Sequence, residues 1–71
     1  MKTFTIGTQT ENDGRYIAEV FELPGAIVYG KTREEAVTKV KILTLRVIAD
    51  MIEHEELSSD LSSISFIHFS W

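Results

Sequence analysis

The sequence contains no cysteine, a single proline, four glycines and two histidines among its 71 residues. Without cysteine there are no disulfides and no thiolate metal sites. His54 and His68 are too few and too scattered for a structural zinc site, so no metal or other cofactor is expected. No apolar run approaches the roughly 20 residues that span a bilayer. The opening Met1-Lys2-Thr3-Phe4-Thr5-Ile6-Gly7 lacks the apolar segment of a secretory signal. These absences predict a cytoplasmic protein that engages no membrane.

What is present is the composition of a folded protein, 44% hydrophobic and 25% charged, read as one domain over residues 1–71. A domain this short buries only about 60% of the surface its unfolded chain exposes. A single core of that size rarely supplies more than about 3–5 kcal/mol. With disulfides and metals excluded, a partner subunit is the remaining route to stability. Acidic residues outnumber basic ones 11 to 7, a net charge of −4. That sign is poorly suited to neutralising phosphates, so no DNA is expected to bind, and a basic protein is the better match.

Alternation over residues 2–10 places Phe4, Ile6, Thr8 and Thr10 on one face of a strand and Thr3, Thr5 and Gln9 on the other. Glu11-Asn12-Asp13-Gly14 reads as a turn, since Asn, Asp and Gly tolerate the positive φ of tight hairpins. A second strand covers 15–21. Leu23-Pro24-Gly25 breaks it, with Pro presetting φ and Gly supplying a positive one. A short apolar strand at 26–29 stops at Gly30, completing an antiparallel meander.

Thr32-Arg33-Glu34-Glu35 is a capping box: the Thr32 hydroxyl accepts from the Glu35 amide, and the Glu35 carboxylate returns to the Thr32 amide. The helix it opens runs to about Glu56. Ala36, Val40, Leu43, Val47 and Met51 form its core stripe, widened by Val37 and Ile48. A serine-rich connection at 57–62 leads to a last strand at 63–71. The expected fold is α+β, a two-layer βββαβ domain whose antiparallel sheet carries one helix on one face.

One helix over a small sheet needs only one apolar stripe, yet a second is present in Ile42, Leu45, Ala49 and Ile52. The last strand is bulky on both faces, with Phe66 on one and Ile67, Phe69 and Trp71 on the other. Tyr16 adds to the surplus, and these side chains cannot all fit beneath a single helix. The pattern predicts a homodimer or higher even-numbered oligomer built on one or both patches.

Catalytic chemistry finds no foothold in this pattern. A nucleophile paired with a base, a carboxylate cluster or a phosphate cradle is required, and none is spelled out. The glycines sit at turns and strand ends, outside any nucleotide-binding motif. His54 within Glu53-His54-Glu55-Glu56 lacks a second histidine one turn on, and reads as a solvated helix end. His68, in an apolar strand, reads as a hydrogen-bonded core or interface residue. The helical bases Lys31, Arg33, Lys39, Lys41 and Arg46 are interleaved with Glu34, Glu35 and Asp50, which is a solvated face. The chain is read as a non-enzyme.

Asp13-Gly14-Arg15-Tyr16-Ile17-Ala18-Glu19-Val20-Phe21-Glu22-Leu23-Pro24-Gly25, continued by Tyr29-Gly30-Lys31-Thr32-Arg33-Glu34-Glu35-Ala36, resembles the core of the HicB-like antitoxin family. The shared pattern is an acidic-Gly hairpin, an aromatic residue, a Leu-Pro-Gly turn, and Gly-x-Thr-x-Glu-Glu-Ala opening a helix. It covers about a third of the chain. Asp13, Gly14, Pro24, Gly25, Gly30, Thr32 and Glu35 are its structural positions here.

The resemblance implies a partial RNase-H-like or double-stranded-RNA-binding-domain-like topology. It also implies the antitoxin half of a type II toxin–antitoxin pair, which occludes a small mRNA-cleaving HicA-like toxin. Phe21 stands where many relatives carry proline. Many relatives also append a C-terminal DNA-binding domain that this sequence lacks, so neutralisation carries over and transcriptional repression does not. An orphan homo-oligomeric domain without a toxin and an RNA-binding module are the alternatives.

Overall fold

The structure is a computed structural model and describes residues 2–54 and 64–70. Its elements are β1 (Lys2–Thr10), β2 (Tyr16–Val20), β3 (Ile27–Gly30), α1 (Arg33–Glu53) and β4 (Ile64–Ser70). This is the expected βββαβ order in an α+β domain, with one helix packed on a four-stranded sheet.

The two hairpin turns form as their residues dictate. Gly14 and Gly25 adopt φ of 90° and 88°, where a side chain would be strained. Asp13 secures the first turn: its carboxylate accepts from the Arg15 amide at 3.1 Å and from Arg15 Nε at 2.7 Å. Those contacts, the backbone bond foremost, hold the Asp13 carboxyl below its usual range. In the second turn Leu23 N–H donates to Val20 O and Ala26 N–H to Leu23 O, around exposed Pro24.

The strands lie in the order β3-β2-β1-β4. β1–β2 and β2–β3 are antiparallel, but β4 joins β1 in parallel, so the sheet is mixed rather than antiparallel throughout. The connection explains it. A strand entered after a crossover helix runs the same way as the strand before that helix, and β3 is already parallel to β1.

The Thr32 hydroxyl caps α1, accepting from the Glu35 amide at 3.0 Å. The return arm differs from expectation. Glu35 Oε1 accepts from the Lys31 amide at 2.9 Å and not from Thr32, because the extended cap brings the preceding amide over the first turn. The helix ends at Glu53 with His54 as C-cap, short of Glu56; the serine-rich connection lies outside the described residues.

The buried spine of α1 is Ala36, Val40, Thr44 and Ile48. It faces Phe4, Ile6, Ala18 and Val20 of the sheet, with Ala26 at the edge. Thr44 replaces an aliphatic residue in that spine because its hydroxyl donates to Val40 O at 2.7 Å and needs no other partner. Leu43 packs at the flank, while Val47 and Met51 line a cleft of about 200 Å³ against Leu23 to Ala26. The helix covers β1, β2 and β3 but does not extend over β4. Among the described residues, no helix is long and apolar enough to cross a membrane.

Candidate functional site

Among the described residues, three surfaces stand out: a cleft beside β4, the outward side of α1, and the open face of the sheet. The cleft, about 220 Å³, is lined by Arg33, Glu34, Val37, Thr38 and His68. The Arg33 guanidinium lies over the Tyr16 ring at 5.3 Å, and among the described residues its buried Nε has no hydrogen-bond partner. Thr8 Oγ1 and His68 Nε2 stand 3.3 Å apart. That pair has the outline of a hydroxyl–imidazole dyad, but Thr8 is fully buried. Among the described residues no carboxylate orients the ring, and a substrate has no path to the hydroxyl. His54 is a solvated helix end: Nδ1 lies 2.8 Å from Asp50 O and 3.4 Å from Asp50 Oδ1. Among the described residues no three metal-ligating side chains converge.

The second apolar stripe divides. Ile42, Leu45 and Ala49 point away from the sheet and are exposed, the first two at 46% each. Ile52 lies half-buried against the core, because it follows buried Ile48 by four positions and so continues the same helical row. Phe66 also belongs to the core margin, 6.0 Å from the Phe4 ring, with Lys41 Nζ 5.6 Å from its own ring. Ile67 is 56% exposed on the opposite face. Phe69 sits in β4 across from Gly7; its side chain, and Trp71, fall outside the described residues. The two patches therefore lie on opposite sides of the molecule, and no single flat partner touches both.

The open sheet face holds what the sequence reading missed. Tyr29 and Ile27, 43% and 48% exposed, pair with Ile17 and Glu19 of β2. Phe21, 46% exposed, extends the β1–β2 register by one step, its amide donating to Thr5 O at 3.0 Å. Ile67 pairs with Thr5 from the other side. Among the described residues, six large apolar side chains are exposed beyond two-fifths; four are on this face, and Ile42 and Leu45 are on the helix. The signal was the unbroken apolar run Ala26-Ile27-Val28-Tyr29, where a one-sided strand would alternate.

The two sheet edges are unequal. In β3, Ala26 O accepts from Val20 N–H, so the alternate residues Ile27 and Tyr29 turn their backbone groups outward. Those groups are partly occupied: Ile27 N–H donates to Gly25 O at 2.9 Å, and Tyr29 O accepts from Lys39 Nζ at 3.5 Å. The β3 edge is also only four residues long. β4 offers seven, and among the described residues none of its backbone groups bonds outside the ladder with β1. Short, blocked edges resist strand addition and long, open ones invite it.

Comparison of the chain with models of protein families, with curated proteins and with solved structures found no match.

Proposed function

We propose that the chain is a non-catalytic protein-binding module of the HicB-like antitoxin kind, which occludes a small basic HicA-like toxin and associates with its own copy along β4. The β4 edge, unpaired among the described residues, is the observation that carries the binding reading. It lies beyond the cover of α1, exposes Ile67 on one face, and leaves Ile64 and Phe66 half-buried on the other. An edge of this kind is completed by another strand. A second β4 running antiparallel across a two-fold axis supplies one. The toxin assignment is supported by the ordered motif from Asp13 to Ala36 and by the net charge of −4, which suits a basic partner. That acidity weighs against the RNA-binding alternative.

The test is to read the adjacent reading frames for a small basic protein and to co-express any such neighbour with this chain. Relief of that protein's toxicity, with co-purification of the two chains, supports the antitoxin reading. A non-toxic neighbour that does not bind removes it, and leaves an orphan oligomeric domain.

A further inference from the structure

The open sheet face has a specific organisation around Glu19. Its carboxylate side chain lies between Ile17 and Phe21 along β2, with Ile27 of β3 on one side and Gly7 of β1 on the other. Glu19 is half-buried, and among the described residues no donor or cation meets it. The nearby cation is already engaged: Arg15 Nε is 2.7 Å from Asp13, and its guanidinium lies 4.4 Å from the Tyr29 ring. A half-buried carboxylate flanked on three sides by Ile17, Phe21 and Ile27, with Gly7 leaving room on the fourth, is the arrangement of an interface centre, where water exclusion strengthens one charge-assisted contact.

We infer that this face is the docking surface for a basic protein, with a lysine or arginine of the partner meeting Glu19 and apolar side chains packing among Phe21, Ile27, Tyr29 and Ile67. The inference rests on the binding-module reading and names the surface that reading uses. Charge selects the occupant. A second copy docked face to face with its two-fold axis at Glu19, the centre of the face, would set that carboxylate toward its own counterpart, and like charges brought together oppose association. Nucleic acid would bring phosphates to the same carboxylate. Self-association along β4 does not compete, because it uses the sheet's edge and leaves the face open.

The probe is a short synthetic peptide alternating lysine and leucine, titrated into isotope-labelled protein and followed through the amide resonances. Its glutamate–leucine counterpart is the control. Shifts centred on Ile17, Glu19 and Ile27, produced by the basic peptide alone, are expected. Glu19→Lys should weaken the basic peptide at least tenfold and admit the acidic one; if that variant misfolds, Glu19→Gln should still weaken the basic peptide severalfold. Shifts confined to Ile42, Leu45 and Ala49, no binding, or equal binding by a folded Glu19 variant would overturn the assignment. The toxin reading stands or falls separately. A neighbour that fails to bind, with the peptide still on this face, removes only the toxin. A neighbour that binds while the peptide avoids the face removes only this surface.

Discussion

Gly30 and Ala36 stand so close that a Cβ on Gly30 would lie 2.6 Å from the Ala36 nitrogen and 3.0 Å from its Cα. The end of β3 is thereby seated on the first turn of α1, whose Ala36 amide donates to Thr32 O at 3.1 Å. Backbone cannot yield as a side chain can. Gly30→Ala should destabilise the fold by about 1–3 kcal/mol. For a domain of this size each kcal/mol lowers Tm by roughly 4–8 °C. A variant that melts with the wild type would show that β3 and α1 meet less tightly.

Thr32→Ala removes the N-cap oxygen that accepts from Glu35 N–H at 3.0 Å. The expected loss is about 0.5–2 kcal/mol. Thr32→Ser should recover most of it, and thermal unfolding of the pair checks both statements.

These positions show what the sequence could disclose. Caps and turns are local chemistry, so Thr32, Gly14 and Gly25 could be placed from residue type alone. The parallel pairing of β4 could not, because it depends on where a crossover helix returns the chain. All five expected core-stripe positions, Ala36, Val40, Leu43, Val47 and Met51, are buried or half-buried, but Thr44 entered the spine through a hydroxyl bond that polarity scales do not anticipate. For the candidate surfaces, Ile42, Leu45, Ala49 and Ile67 were legible as surplus bulk and are exposed. Ile52 and Phe66 turned inward, since helical periodicity blurs at a flank and a strand's two faces look alike when both are apolar. Phe21, Ile27 and Tyr29 were hidden for that second reason.

Thr44→Val tests the spine. Its hydroxyl is spent on the Val40 carbonyl, and the near-isosteric methyl fills the same space. The change should therefore stay within about 1 kcal/mol of wild type in either direction. A loss well beyond that in denaturant unfolding would mean that the hydroxyl serves a further partner.

Acid should loosen the start of α1. The Lys31 amide bond, and secondarily the Lys39 charge, hold the Glu35 carboxyl below its ordinary 4.5. A carboxyl lowered on folding contributes stability above its unfolded pKa, and that contribution is lost as pH falls through the folded value. Glu35→Gln keeps an acceptor for Lys31 but does not titrate. Its stability should fall less steeply than that of wild type below about pH 4.5. Parallel acid limbs for the two proteins would contradict this.

The central claim is that the chain binds protein through surfaces its own core leaves open, and that β4 supplies the first of them to a second copy. Sedimentation velocity at roughly tens of micromolar tests it directly, because association of this kind depends on protomer concentration. The account predicts a species of about twice the 8.1 kDa chain mass, or a higher even multiple, and Leu45→Glu on the far side of α1 should leave that mass unchanged. A soluble wild-type monomer across that range would contradict it.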